Sequence, residues 1–402
     1  MSDASGIDLT QFKRWYSQSG TPRLNATQHY DHDKQLYTLT IEQTAPLNQP
    51  DNKSLHIPFA IELLDENGQS IALTYQGEKR DHVLNVTAPT QTFYFDQIPA
   101  RPVAVLLEDF SAPCILSQQN SEPDLLHIMR FARSDFSRWD AQQQLFINAV
   151  KQAVNAPEHA TLSENVINAL RVLISAQSGD LALVAELIKL PSFDTFAAEF
   201  DIIPVDEIIT ITRLFEQQIA EQLSDELLHC YSSLVDDGSI NPDAVAIRAL
   251  KGVCLHYLAK IPSEQVDRFI KESADSPNMT NVLASLSAVV KASHPLRTTL
   301  LDHFDSQWRH DVLVMDKWFA LQAMQSGDDA IENIKALYAH PSFDFSNPNR
   351  VRALVGSFSH FNTAQFHRKD GKGYALLGDL LIKLNAINPQ NASRMLTPFM
   401  SW

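Results

Sequence analysis

The sequence predicts two structural parts, an antiparallel β-sandwich followed by an all-α, right-handed superhelix of helix pairs of the HEAT or armadillo type. Apolar and polar residues alternate over much of the first 117 residues, which is typical of half-buried strands. The run Ser117–Asp124 contains no apolar residue, and from Leu125 apolar residues recur every three or four positions, which indicates helices. We therefore predict three segments: residues 1–22, 23–117 and 118–402.

Length, charge and cysteine content narrow the class of protein. The 402 residues suffice for two or three domains of about 150 residues each. A net charge of −16 argues against a nucleic-acid partner, because binding phosphates requires a basic surface. No apolar run reaches membrane-spanning length, and the acidic start lacks the features of a secretion signal. Three widely spaced cysteines predict buried free thiols in a reducing compartment. We predict a cytoplasmic protein that binds neither nucleic acid nor membranes.

Residues 1–22 are predicted to form a short terminal helix and a linker. The helix ends in the stretch Ser17–Pro22, whose Gly20 and Pro22 are typical stop residues. A lone terminal helix has little surface against which its aromatic side chains can be buried. This indicates that the chain is part of a larger protein. Its apolar face comprises Ile7, Leu9, Phe12, Trp15 and Tyr16.

Residues 23–117 are predicted to form the sandwich. Six or seven short strands in about 95 residues fit two antiparallel sheets. Asn67-Gly68, between Leu64 and Gln69, is a hairpin-turn signal. The segment contains no catalytic triad or ligand cluster, so we interpret it as a structural spacer. Strands are expected around Tyr37–Ile41, Ile57–Leu63, Val83–Thr87, Thr92–Phe95 and Val103–Leu107.

Residues 118–402 show a faint helical repeat. The sequence Leu190–Asp194 recurs almost unchanged as His340–Asp344, each copy after an amphipathic helix. Stacked units of this kind build a superhelix with a concave face. Several helices are expected to open with an Asn cap followed by Pro, at 241–242, 347–348 and 388–389.

The chain shows no self-contained active site in its sequence. It has no His-Glu-x-x-His and no Cys-x-x-Cys motif. The tight cluster of His29, Asp31, His32 and Asp33 is predicted to lie in a surface loop before the first strand. Gly371-Lys372-Gly373 follows no predicted strand and is interpreted as a turn between helices.

Three arginines near predicted helix starts are the best candidates for a binding site. Arg350, Arg352 and Arg394 each follow an Asn-Pro pair, where a cation is unfavourable by about 0.3–1 kcal/mol unless an anion lies nearby. Arg350 and Arg352 point to different sides of their helix, so one can form a buried ion pair while the other reaches a cavity. Spacing alone favours pairing of all three with the protein's own carboxylates. The alternative is that they receive the carboxylate of a ligand.

Five blocks of this sequence are similar to bacterial aminopeptidase N, a gluzincin-type zinc peptidase family. The similarity extends over essentially the whole chain. The resemblance implies a four-domain enzyme of which this chain holds the last two, a β-sandwich and a helical domain that encloses a cavity for peptides. The five blocks are Gln11–Pro22, Leu55–Phe59, Asp135–Asp140, Val314–Phe319 and Ser346–Arg352.

The same resemblance implies a zinc aminopeptidase that removes N-terminal residues from peptides. In that family a zinc-bound water, activated by a Glu base, attacks the first peptide bond. The zinc ligands and the other catalytic motifs belong to the preceding domain, so this chain is expected to hold no metal and to be inactive alone. Residues 1–22 would be the end of that domain, and further helices would follow Trp402.

Family arginines that line the cavity correspond to Arg352 and Arg394, which are expected to meet the C-terminal side of a bound peptide, whereas Arg350 is expected to be structural. The expected partners are peptides and the missing N-terminal and catalytic domains. The competing hypothesis is a free-standing superhelical scaffold that binds another protein on its concave face.

Overall fold

The computed structural model describes residues 4, 6–45, 49, 52–176, 179–327 and 329–401. The chain forms two compact units, Met1–Phe146 and Ile147–Trp402. Strand gives way to helix between Ser117 and Glu122, where the sequence predicts the change. The first unit nevertheless extends into the helices, so the predicted division at residues 117 and 118 stays a prediction.

Two sheets form the sandwich of the first unit. In the described residues the order β7-β2-β1-β9 makes one sheet, β6-β3-β8 the other, and β4 and β5 pair as a short ribbon. The long pairs are antiparallel, whereas β9 runs parallel to β1. The strands are β1 Arg23–Asp31, β2 Leu36–Thr44, β3 Ile57–Leu64, β4 Thr74–Tyr75, β5 Glu78–Lys79, β6 Val83–Val86, β7 Thr90–Phe95, β8 Val103–Leu106 and β9 Ile115–Ser117.

The central strand β3 is buried on both faces, which the alternating pattern does not predict. Its inward residues Phe59 and Leu63 join the sandwich core, as expected. Its other face carries Glu62 and Leu64, and both are buried as well. The 3-10 turn Glu108–Phe110 contacts β3, and Ser70 and the backbone N–H of Arg133 both bond the Glu62 carboxylate. The helix Glu122–Phe131, in the same unit, contacts the adjacent strand β8.

Two buried carboxylates tie this helix to the sandwich. Asp124 accepts two hydrogen bonds from Arg101, both at 3.0 Å. Glu108 accepts hydrogen bonds from Arg133, which follows the end of this helix: Nη2 donates to Oε1 at 2.7 Å and to Oε2 at 2.9 Å, and Nε donates to Oε1 at 3.1 Å. Buried charges of this kind require partners, so their pairing fixes the helix on the sheet.

The apolar pattern that starts at Leu125 spans two helices, not one. The first helix, Glu122–Phe131, ends before Arg133, whose backbone N–H donates to Glu62 instead of continuing the helix. The second helix begins at Asp135. The side-chain hydroxyl of the preceding residue, Ser134, accepts a hydrogen bond from the backbone N–H of Ser137.

Within the described part of the terminal segment, Phe12–Tyr16 form a 3-10 helix. The expectation that its aromatic residues find few partners is wrong for Trp15, which packs against the sandwich core and donates from Nε1 to His56 O at 2.9 Å. Tyr16 is 87% exposed, in accord with the expectation.

The second unit consists of helices that pack against their sequence neighbours. The helix Pro242–Leu258 contacts the helices before and after it and lies near the centre of the packing. The Asn caps and following prolines are confirmed at all three predicted positions. From the first unit onward the described helices are Glu122–Phe131, Asp135–Ala153, Glu164–Ala176, Leu181–Leu187, Phe193–Ala197, Val205–Gln222, Ser224–Ser233, Pro242–Leu258, Glu264–Ala274, Met279–Lys291, Arg297–Trp308, Val312–Ala323, Ala330–Leu337, Pro348–Val351, Ser357–Phe361, Thr363–Phe366, Lys372–Asn385 and Pro389–Arg394.

The two copies of the repeated sequence differ in structure. Ser192 caps a short helix, Phe193–Ala197. After His340 the corresponding residues form a turn, in which Phe343 packs edge-on against Phe345.

The cysteines are free and buried, as predicted. Within the described ranges no helix combines the length and apolar character needed to cross a bilayer.

Candidate functional site: a basic cavity in the helical unit

A helical segment from Pro348 to Phe361 carries two of the candidate arginines. Asn347 begins it by accepting two backbone N–H groups on its side-chain oxygen. The chain then passes through a π-helical turn, Arg352–Gly356, before the α-helix resumes at Ser357. A π-turn holds more residues per turn than an α-helix and is frequent at functional sites.

Arg350 lies on the buried side of this segment and is 2% exposed. Its Nε donates to Asp316 Oδ1 at 2.6 Å, and its Nη2 donates to Val312 O at 2.8 Å. Its Nη1 donates to Ser342 O. The guanidinium also lies over the ring of Phe319, 4.7 Å from its centroid. The predicted buried ion pair is therefore confirmed for Arg350.

Arg352 points to a different side and is exposed. Its Nη1 donates to Asn349 Oδ1 at 3.4 Å, and it makes no ion pair with a described carboxylate. Gly356 makes room for it, because a Cβ at that position would come within 3.1 Å of Arg352 Cγ. The π-turn and this glycine together let the arginine stem lie across the helix.

Arg394 ends the short helix Pro389–Arg394. The sequence argument placed this cation at a helix start, which is wrong: the helix is six residues long, so Arg394 lies in its last turn, where the helix dipole favours a cation. Its side chain is exposed and forms no ion pair with a described acidic residue. Among the described carboxylates, therefore, a partner is found for Arg350, and none is found for Arg352 or Arg394.

Arg352 and Arg394 line one cavity of about 480 Å³. None of its described lining residues is acidic, although the whole chain carries a net charge of −16. Two guanidinium groups that face one cavity without an ion pair to a described carboxylate attract an anion, and each can bind a carboxylate bidentately. The lining residues are Asn349, Arg352, Ala353, Gly356, Ser357, Ser359, His360, Phe361, Asn391, Arg394, Met395 and Pro398.

The sequence argument missed Asn391, which also lines this cavity. It is 6% exposed, and its Nδ2 has no hydrogen-bond partner among the described residues. A buried amide left without a partner costs about 1–3 kcal/mol. The available signal was its position three residues before Arg394, which places both side chains on one helix face.

A second cavity of about 670 Å³ lies in the same unit and shares Phe361 with the first. Glu216 lines it and accepts hydrogen bonds from His256 Nε2 at 3.1 Å and from Lys260 Nζ at 2.8 Å. Burial alone raises the pKa of Glu216, but the hydrogen bond and charge of His256 and the charge of Lys260 outweigh it and lower the pKa to about 2. The carboxylate is thus a fixed charge of the structure.

The other sequence candidates do not form sites. His29 and Asp31 lie on β1, and His32 and Asp33 follow in the turn to β2, so the predicted loop before the first strand is wrong. Gly371 is the left-handed residue that begins the helix Lys372–Asn385, which confirms the predicted turn. Over the described ranges no group of three or more His, Cys, Asp or Glu side chains is placed to hold a metal ion. A zinc centre therefore finds no fitting ligand set among these residues.

Two domain families match the chain. Residues 20–119 match a domain of unknown function, DUF3458, with an Ig-like fold, and residues 122–402 match the domain of unknown function DUF3458_C, with ARM repeats. The second of these matches covers more than half of the chain, which therefore belongs to the DUF3458_C family. The β-sandwich followed by armadillo-like helical repeats predicted from the sequence is thereby confirmed.

This DUF3458_C protein is homologous to the C-terminal part of bacterial aminopeptidase N. It is 41% identical over 409 residues to aminopeptidase N of Escherichia coli (strain K12) and 40% identical over 408 residues to that of Haemophilus influenzae. Each match covers 100% of this chain and 47% of the relative. The chain thus spans about half the length of these curated relatives.

A solved structure resembles the DUF3458_C chain over its full length. It is the crystal structure of Legionella pneumophila aminopeptidase A in complex with aspartic acid, with a TM-score of 0.85 and 28% sequence identity. The match covers 100% of this chain and 47% of that one.

Proposed function

We propose that this chain is the peptide-enclosing C-terminal part of a zinc-dependent aminopeptidase N, a hydrolase that removes N-terminal residues from peptides in the cytoplasm. The observation that carries the proposal is the 41% identity over the whole chain to an aminopeptidase N of which the chain covers 47%. The zinc and its catalytic groups would lie in the domain that precedes this part in the enzyme. The partners of this chain would be that catalytic domain, the N-terminal domain and peptide substrates.

Arg352 and Arg394 are proposed to bind the carboxylate at the distal end of the peptide. Two observations on the described residues support this role: neither guanidinium group forms an ion pair with a described carboxylate, and none of the described lining residues is acidic. A carboxylate held there would orient the peptide while its amino end lies at the catalytic domain. This part of the enzyme would therefore enclose and position the substrate.

Arg352→Ala and Arg394→Ala, made in the enzyme that contains both this part and the catalytic domain, are expected to weaken peptide hydrolysis more than arylamide hydrolysis. An aminoacyl-arylamide has no distal carboxylate, so its kcat/KM should change less than twofold, whereas kcat/KM for a tripeptide should fall by about tenfold per lost charge-assisted contact. Steady-state kinetics with both substrates checks this. Equal losses on both substrates would return the arginines to a structural role.

The purified 402-residue chain is expected to show no aminopeptidase activity of its own. The measurement is hydrolysis of an aminoacyl-arylamide with added zinc, with and without a chelator. Among the described residues no side-chain group suits a metal, which supports the expectation. Robust turnover that the chelator abolishes would refute it.

A further inference from the structure

The side-chain amide nitrogen of Asn391 lacks a hydrogen-bond partner among the described residues. Its backbone is fully used, because its N–H donates to Asn388 Oδ1 at 3.0 Å and its C=O accepts the N–H of Met395 at 3.1 Å. Its side-chain Nδ2 is buried without a partner in the described structure. Buried polar groups are almost always hydrogen-bonded, so such a group calls for a partner that the described residues do not supply.

The position of Asn391 links it to the two arginines. It lies one turn before Arg394 on the same helix face, and both residues line the cavity that Arg352 lines from the other segment. The neighbouring Ser359 hydroxyl donates to Val355 O at 3.0 Å and does not supply the missing partner. A ligand bound to the guanidinium groups would therefore lie beside an amide that still needs hydrogen bonds.

The chemistry of the three side chains differs in a way that identifies the ligand. A guanidinium group matches a carboxylate, with two parallel hydrogen bonds. The unpartnered Nδ2 of Asn391 is a donor, so it needs an acceptor such as the carbonyl oxygen of a peptide group. A simple carboxylate whose oxygens are bonded by the guanidinium groups brings no such carbonyl. The three groups together fit a carboxylate with a peptide bond next to it.

We propose that Asn391 binds the last peptide group of a ligand whose terminal carboxylate lies on Arg352 and Arg394. The cavity then selects peptides that end in a free carboxylate over simple carboxylates of the same charge. This inference rests on the proposed function, because it assumes that the arginines hold a carboxylate. It adds a specificity-determining residue and narrows the ligand class to carboxylate-ended peptides.

The test compares two ligands by calorimetric titration of the full 402-residue chain. N-acetyl-alanyl-alanine carries both groups, whereas propionate carries the carboxylate alone. Asn391→Leu, of similar size and without polar atoms, is expected to weaken N-acetyl-alanyl-alanine binding by about 3–10-fold, the worth of a typical hydrogen bond, and to change propionate binding less than twofold. Arg394→Gln is the matched comparison and is expected to weaken both ligands.

The outcomes separate the two proposals. If Asn391→Leu weakens the binding of both ligands equally, or of neither, Asn391 does not bind the peptide group. Its amide then bonds to water or stabilises the fold. If the unaltered chain binds neither ligand, the carboxylate cavity itself is wrong and the proposed role of the arginines fails first. Thermal unfolding shows whether the Leu variant is folded. Asn391→Ala, which also removes the amide, repeats the comparison if it is not.

Discussion

Arg350→Met is expected to lower the free energy of unfolding of the helical unit by about 3–5 kcal/mol, because it leaves Asp316, whose side chain is 19% exposed, as a charge without its partner. Arg350 is 2% exposed and supplies one ion-pair bond at 2.6 Å and further hydrogen bonds to two backbone carbonyls. Met fills much of the same volume, so the loss reflects charge and hydrogen bonding more than packing. Urea unfolding followed by far-UV circular dichroism measures it.

Arg352→Met is the matched control, two residues away on the same segment. Arg352 is exposed and donates one long hydrogen bond of 3.4 Å, so this change should cost about 0.5 kcal/mol or less. Adding Asp316→Leu to Arg350→Met removes both charges and should recover part of the stability. Similar losses for Arg350→Met and Arg352→Met would contradict the division of the two arginines into a structural one and a ligand-facing one.

That division was predictable from spacing, because residues two apart on a helix cannot share a face. The position of the cavity was not, since it depends on a π-helical turn at Arg352–Gly356 and on a second helix, Pro389–Arg394, that is distant in sequence. A π-turn has no reliable sequence signal. Because the second helix is only six residues long, Arg394 lies in its last turn, where the helix dipole favours a cation, and not in a first turn that disfavours one.

Burial of the second face of β3 shows the same limit in the sandwich. Alternation correctly placed Phe59 and Leu63 in the core. It could not show that Glu62 is buried too, because that depends on Ser70 and on Arg133, which both bond its carboxylate. Sequence periodicity reports which face a strand prefers for its apolar residues. It does not report what later covers the polar face.

Asn391 shows why candidate site residues are harder to find than the fold. Its position three residues before Arg394 places it on the same helix face, but as a neutral residue after an Asn-Pro cap it gives no sign in the sequence that it is buried. Only its burial and the unpartnered amide in the structure mark it. An arginine can be recognised in the sequence as a candidate because it is charged. A neutral donor can be recognised only from its burial and hydrogen bonding in the structure.

Glu216→Gln is expected to remove a pH-dependent contribution of about 3 kcal/mol from the stability of the helical unit at pH 7. The pKa of Glu216 is lowered from its ordinary value of 4.5 to about 2 by His256 and Lys260, against the opposing effect of burial. Each unit of difference corresponds to about 1.4 kcal/mol. The carboxylate side chain is 25% exposed and that of Lys260 12%, so solvent screens this pair only in part.

The direction of the pH effect follows from the lowered pKa. The unfolded chain takes up the proton near pH 4.5, whereas the folded chain resists it until about pH 2. The contribution is therefore complete above about pH 5 and is lost as the pH falls through this window. The stability difference between the unaltered chain and Glu216→Gln should shrink by about 1 kcal/mol at pH 4 and by about 2 kcal/mol at pH 3.

Urea unfolding at pH 7, 4 and 3 measures this difference, and Glu332→Gln serves as the control. Glu332 forms an exposed pair with Lys335 at 3.3 Å, and its side chain is 71% exposed, so its loss should cost about 0.5 kcal/mol or less at each pH. A Glu216→Gln deficit that stays constant from pH 7 to pH 3 would mean that Glu216 acts through packing. A deficit that shrinks with acid identifies the His256–Glu216–Lys260 contact as a charge that stabilises the wall of the second cavity.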